Sequence, residues 1–174
     1  RFDMVLEALE ADAGWATNRL VYGKVILGNL DGIEAGVRQM IRKTPLETAQ
    51  LALRSGQTLV VPTVEETLRI KTFLVVRRNY TRDYLDVAAL AASMGTAQAA
   101  DVLRGLDAYY ADQRGDGDEI ATQVARQLAD PRPKDVATTR QLTSYRKLDQ
   151  RWTDWNEVRR VLSDVANAML READ

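Results

Sequence analysis

The chain changes character at residue 63, and this change limits the folds open to it. Before that point, β-branched residues alternate with glycines and turn residues, a pattern typical of short strands and hairpins. After it, Thr63 and Glu66 form a capping-box pattern, and residues 64–78 contain neither Gly nor Pro. The sequence therefore predicts an α+β protein, with a small mixed sheet and helices in residues 1–62 and a helical bundle in residues 63–174.

Apolar spacing and helix breakers predict the individual elements. A first short helix begins at Phe2 and is closed by Gly14, and short strands with hairpins follow, the last of them ending at Pro62. A corner is predicted at residues 79–81, between the first two helices of the C-terminal part. The predicted helices of that part cover residues 64–78, 82–94, 96–113, 119–129 and 139–173.

Composition excludes several kinds of site. The chain has no Cys and no His, so disulfides, thiolate zinc sites and imidazole acid–base catalysis are excluded, and any metal would need oxygen ligands. The net charge of −1 gives no general attraction to nucleic acid. Since no apolar run is long enough to span a bilayer, we expect a cytoplasmic protein with no membrane partner.

Charged residues crowd the otherwise apolar residues 68–90. Lys71 lies on the apolar face of its helix, and in an antiparallel hairpin the matching depth on the next helix is near Asp86. Asp83 points the same way as Asp86. Three arginines lie close by: Arg77, Arg78 and Arg82. One explanation of this grouping is helix capping and ion pairing, with no ligand and no catalysis. The functional alternative is a site for an anionic ligand such as a nucleoside triphosphate, in which the cations hold the ligand and the carboxylates position magnesium.

The pattern P-T-x-E-E-x-L-R-I-K at residues 62–71, followed by R-x-x-x-R-D-Y-L-D at residues 78–86, resembles the AbiEii-type nucleotidyltransferase toxins of the polymerase-β-like superfamily. The resemblance extends over about half of the chain, from its first residues to the glycine after the second predicted helix. It implies a nucleotidyltransferase core in residues 1–62 and a helical region in residues 63–174. It also implies an enzyme that transfers a nucleotide from a nucleoside triphosphate, with Mg²⁺, to an acceptor such as the tRNA 3′ end.

Residue roles follow from the same resemblance. Lys71 would contact the triphosphate, Asp83 or Asp86 would be the catalytic acid, and Arg78 and Arg82 would support the phosphates. The resemblance also implies a toxin–antitoxin or abortive-infection role, with a cognate antitoxin as partner. The family's Gly-Ser turn and D-x-D metal motif are absent, so no metal ligand is assigned in this chain and the motif is expected upstream. The alternative is an inactive nucleotidyltransferase-derived module that binds a partner protein or RNA through its helical half.

A second basic group consists of Arg38, Arg42 and Lys43, with strand-like spacing. A solvated strand edge is one interpretation of this group. The other is contact with an RNA backbone, together with Arg77, which would weaken steeply as salt is raised.

Overall fold

The computed structural model describes residues 1–115 and 117–171. Within this part of the chain the fold is α+β, with two small antiparallel sheets and a C-terminal half that is mostly helical, which confirms the predicted class. The chain forms two compact units, Arg1–Lys43 and Thr44–Asp174. The boundary predicted after residue 62 is the end of the last strand.

The first unit is a helix followed by a three-stranded antiparallel sheet in the order β1-β2-β3. Its elements are α1 Phe2–Glu10, β1 Trp15–Val21, β2 Val25–Leu30 and β3 Ile33–Arg38. The turn between β2 and β3 has two central residues, Asp31 and Gly32, with φ of 50° and 84°. Positive φ at both central positions is the geometry that matches the twist of a hairpin, and an Asp-Gly pair adopts it readily.

The second unit opens with a two-stranded hairpin and continues as helices. The hairpin pairs β4 Thr48–Ala52 with β5 Thr58–Pro62, so that Leu51 lies opposite Leu59. The sequence predicted β5 and missed β4, because Ala and Gln have little strand propensity. Strand β4 is stabilised instead by its pairing with β5. The helices are α2 Val64–Arg78, α3 Thr81–Met94, α4 Thr96–Arg104, α5 Leu106–Tyr109, α6 Ile120–Ala129 and α7 Trp155–Leu170.

Side-chain caps fix the ends of α2 and α3. Thr63 Oγ1 accepts the backbone N–H of Glu66 at 3.1 Å, as the capping pattern predicted. Asn79 ends α2 in the left-handed conformation, with φ of 55°. The first residue of α3, Thr81, donates its N–H to Asp135 Oδ1 at 2.8 Å, so this helix is capped from a distant loop. The α2–α3 corner therefore lies where the sequence placed it.

Two of the predicted helices are shorter than expected. Residues 96–113 form α4 and α5, separated at Gly105, and a short 3₁₀ turn. The helix predicted over residues 139–173 begins only at Trp155, and short 3₁₀ turns precede it. There Ser144 Oγ donates to Gln141 O at 2.6 Å and Asp154 Oδ1 accepts the N–H of Asn156 at 2.9 Å, so polar side chains compete with helical bonding. Residues 172–173 of that prediction lie outside the described residues.

The helical unit has one apolar core, to which α2, α3, α4, α6 and α7 contribute. The apolar residues of α7 recur at helical spacing and are buried, and the rings of Phe73 and Tyr110 stack with centroids 4.0 Å apart. The largest contributors include Leu68, Phe73, Tyr84, Leu103, Leu128 and Leu162. This core holds the α2–α3 hairpin in place and so sets the positions of the charged residues on it.

The cap on α3 gives a test of this arrangement. We expect Asp135→Ala to lower the free energy of unfolding by about 1 kcal/mol, because the N–H of Thr81 loses its acceptor. Urea denaturation followed by circular dichroism measures the change. Asp130→Ala is the matched control, since its carboxylate pairs with an exposed Arg132 and its loss should be nearly neutral. Equal effects of the two substitutions would contradict a capping role.

Candidate functional site

Helices α2 and α3 bring Lys71 and Asp86 together. Lys71 Nζ lies 2.8 Å from Asp86 Oδ2, and the two side chains are 32% and 33% exposed. They line an open cleft of about 350 Å³ whose other walls are Thr67, Ala89 and Leu90. The site is therefore a partly hydrated ion pair at the edge of a small, mainly apolar cleft.

Asp83 has different surroundings from Asp86. It is 1% exposed and its Oδ1 accepts from Arg78 Nη2 at 2.5 Å, while the arginine is half exposed. The other carboxylate oxygen, Oδ2, is buried and has no hydrogen-bond partner. The two carboxylates thus form separate ion pairs, one with Lys71 and one with Arg78.

The remaining predicted site residues are dispersed. Arg82 is exposed at the start of α3, and the Arg77 guanidinium lies 5.6 Å from the centre of the Phe73 ring. Arg38 ends β3.

The other two residues of that basic group, Arg42 and Lys43, are not on a strand, so their predicted strand-like placement is wrong. The partner strand β2 begins at Val25, which lies opposite Arg38, and the backbone pairing ends one residue further on, where Gln39 donates its N–H to Lys24 O at 2.9 Å.

Sequence reasoning missed a charged cluster in which Glu66 and Arg69 are buried; we call Glu47, Glu66, Arg69 and Tyr109 the Arg69 cluster. Arg69 Nη1 contacts Glu66 Oε2 at 3.1 Å and Glu47 Oε2 at 2.7 Å, and Glu66 is fully buried. The Tyr109 hydroxyl donates to Glu47 Oε1, and the Arg69 guanidinium lies 3.9 Å from the centre of the Tyr109 ring. Only the three-residue spacing of Glu66 and Arg69 was visible in the sequence.

Two tyrosines, Tyr84 and Tyr109, are held in the protonated form. Burial raises the pKa of Tyr84 to about 12, and its hydroxyl donates to Asn79 Oδ1 at 2.6 Å. The hydrogen bond to Glu47 raises the pKa of Tyr109 as well. These phenols therefore act as neutral donors and not as phenolate ligands or bases.

Nothing in the described part of the chain forms a metal centre, since no three acidic side chains in residues 1–115 and 117–171 are grouped to hold an ion. The ligands of the expected magnesium ion were placed by resemblance on a motif upstream of the chain, and the nucleoside triphosphate was placed on Lys71, Arg78 and Arg82. They stay predictions that this geometry does not address.

Similar proteins are named for transport. Over 132 residues the chain is 41% identical to the "Heme uptake protein MmpL11" of Mycobacterium tuberculosis strain H37Rv, which covers 76% of this chain and 13% of that protein. The "Mycolic acid-containing lipids exporter MmpL11" of Mycolicibacterium smegmatis is 39% identical over 132 residues, with the same coverage. The chain is similar to one segment of MmpL11 proteins. No protein-family model and no solved structure matches.

This similarity overturns the nucleotidyltransferase interpretation. Proteins 37–41% identical over 76% of the chain are named MmpL11, so the expected toxin family, enzymatic activity and abortive-infection role are wrong. The inactive nucleotidyltransferase-derived module has no support either. Because the motif residues are engaged in a helix cap and in ion pairs, as Thr63, Lys71 and Arg78 show, helix-hairpin stability accounts for much of the pattern.

The same comparison bears on the expected partners and location. A nucleoside triphosphate, tRNA or other RNA, and an antitoxin were expected on the resemblance alone, and no name of a similar protein supports them. The cytoplasmic placement is wrong on the same finding, because MmpL11 proteins are named for uptake, export and transport. Within residues 1–115 and 117–171, no helix combines the length and the apolar character needed to cross a bilayer.

The Arg69 cluster and the Lys71–Asp86 pair should differ strongly in their contributions to stability. We expect Arg69→Met to lower the free energy of unfolding by about 3–5 kcal/mol, because the buried carboxylate of Glu66 loses the guanidinium that lies 3.1 Å from it. Lys71→Met is the matched control and should cost about 1 kcal/mol or less, since both partners are partly hydrated. Urea denaturation measures both, and a larger effect at Lys71 would reverse this assignment.

Tyr84 makes stability depend on alkaline pH. Its pKa in the folded protein is about 12 against an ordinary value of 10.0, so folding favours the protonated phenol. The contribution of Tyr84 to the free energy of unfolding is therefore at its full value below about pH 10 and is lost as the pH rises from about 10 towards 12.

Tyrosinate absorbance during a pH titration checks this expectation. The wild type should show a late component near pH 12 that Tyr84→Phe removes. Tyr80→Phe, at a half-exposed position, should leave that component in place. If the late component survived in Tyr84→Phe, the assignment to this buried ring would be wrong.

Proposed function

We propose that the chain is a folded segment of a transport protein of the MmpL11 kind, acting through its surface and not through catalysis. The observation that carries the proposal is the 41% identity over 132 residues, which covers 76% of the chain. The chain spans 13% of the length of that relative, so it supplies one part of the transport protein.

The named relatives carry two cargoes, heme and mycolic acid-containing lipids, and this chain favours the lipids. It contains no His and no Cys, so it offers heme iron neither imidazole nor thiolate. Tyrosine can also hold heme iron, but the hydroxyls of Tyr84 and Tyr109 are already donors to Asn79 and Glu47. The lack of imidazole and thiolate ligands therefore favours a role in lipid export over direct binding of heme.

The internal charges of the helical unit support a role as a structural module. Arg69 is engaged by Glu66 and Glu47, and Lys71 is engaged by Asp86. These cations are used to hold helices together, so they add to the rigidity of the unit. What such a unit presents to the rest of a transport protein is a fixed outer surface.

A segment exchange tests the proposal. In the full-length lipid exporter of M. smegmatis, the matching segment is deleted in one strain and replaced by residues 1–174 in another. We expect deletion to abolish surface export of labelled mycolic acid-containing lipids and replacement to restore it. Replacement by the Arg69→Met chain should restore less export, in proportion to the folded fraction.

Two results would contradict the proposal. Undiminished export after deletion would show that the segment is dispensable for this cargo. A shift of the heme absorption band on titration with the isolated chain would show that heme, and not lipid, is what the segment handles.

A further inference from the structure

We propose that residues 131–151, which we call the basic loop, bind the anionic headgroups of a lipid bilayer. The loop lies between α6 and α7 and is built from short 3₁₀ turns. It carries six cationic side chains against two anionic ones, whereas the whole chain has 24 cationic and 25 anionic residues. The positive charge is thus a property of this loop and not of the chain as a whole.

Both acidic residues of the basic loop accept hydrogen bonds from uncharged groups, and neither forms an ion pair with a cation of the loop in the described part of the chain. Asp135 Oδ1 accepts from the N–H and the hydroxyl of Thr81, at 2.8 and 2.9 Å. Asp149 Oδ1 accepts the backbone N–H of Arg151 at 2.9 Å. The carboxylates therefore shape the loop and leave most of its positive charge uncompensated.

Four of the six cations make no ion pair with any residue in the part of the chain that the structure describes. They are Lys134, Arg140, Arg146 and Lys147, and all four are exposed. The other two, Arg132 and Arg151, pair with Asp130 and Glu157. Groups of four to eight cations beside a membrane span or on an amphipathic helix attract proteins to an anionic membrane surface, and the loop holds that number of cations within 21 residues.

The loop is held against the helical unit, which makes it a preformed surface. Asn79 donates its side-chain amide to Arg132 O at 3.0 Å and accepts the N–H of Lys134 at 2.8 Å. Leu142 is 1% exposed, and the two prolines of the loop are buried. Because the backbone is already ordered, the loop loses less conformational entropy on binding than a flexible basic tail would.

The apolar residues of the loop favour a bilayer over nucleic acid. Val136 is 57% exposed and Tyr145 is 36% exposed, and each lies within two residues of an unpaired cation in the sequence. A short aliphatic side chain and a tyrosine fit the boundary between headgroups and acyl chains. Single-stranded nucleic acid is instead held by a series of aromatic rings, and this loop has one.

This inference goes beyond the proposed transport role and does not depend on it, because it rests on the charge and exposure of the loop alone. It replaces the expectation of no membrane partner with contact at the surface of a bilayer. Exposed cations draw the loop to the headgroups, and Val136 and Tyr145 limit the depth of contact to the interface.

Vesicle sedimentation with the 174-residue chain tests the proposal. We expect the wild type to sediment with vesicles of phosphatidylcholine and phosphatidylglycerol, and to stay in solution with phosphatidylcholine alone. Changing all four unpaired cations of the loop to Gln should lower the partition coefficient by about tenfold or more. Raising the salt should weaken wild-type binding, because surface charges are screened.

A matched variant separates this loop from charge in general. It replaces four exposed cations elsewhere, Arg19, Lys24, Arg54 and Arg159, with Gln, and should bind anionic vesicles within about twofold of the wild type. Circular dichroism confirms that both variants fold. Val136→Ser with Tyr145→Ser should leave binding at low salt and reduce the part that survives high salt.

Three results would overturn the proposal. The loop variant could sediment as the wild type does, the two quadruple variants could lose binding equally, or the wild type could bind neutral vesicles as well as anionic ones. Binding of single-stranded RNA in preference to anionic vesicles, lost in the loop variant, would assign the loop to nucleic acid instead.

Discussion

The Arg69 guanidinium links three parts of the helical unit. Arg69 reaches Glu66 on its own helix and Glu47 ahead of β4, and it lies against the ring of Tyr109 in α5. A buried carboxylate such as that of Glu66 is unfavourable unless a cation accompanies it. The arrangement therefore fixes where the β4–β5 hairpin, α2 and α5 meet.

Local signals predicted the elements that local interactions stabilise. The cap of Thr63, the run without Gly or Pro and the left-handed Asn79 were sufficient to give both ends of α2. Strand β4 was missed because its stability comes from pairing with β5. Residues 139–154 were predicted as helix on their apolar spacing, but side chains such as Asp154 and Ser144 bond the backbone there and interrupt it.

The sequence predicted which residues of the candidate site lie together better than it predicted their function. The rise of a helix was enough to place Lys71 and Asp86 at the same depth, and they contact each other at 2.8 Å. The same pattern of charges suits a phosphate site and an ion-paired hairpin, so a motif of a few residues could not decide between them. Glu47 and Tyr109 are 62 residues apart, which is why their contact with Arg69 left no trace in local spacing.

The cap that Asp135 places on Thr81 bears on the order in which the chain assembles. The acceptor follows the donor by 54 residues, so the contact closes a long loop, whereas the α2–α3 hairpin needs only neighbouring segments. During synthesis the hairpin can form while the N–H of Thr81 is still bonded to water. We expect the segment around Asp135 to dock after the hairpin has formed, so the corner of the hairpin is where an early part of the fold is joined to a later one.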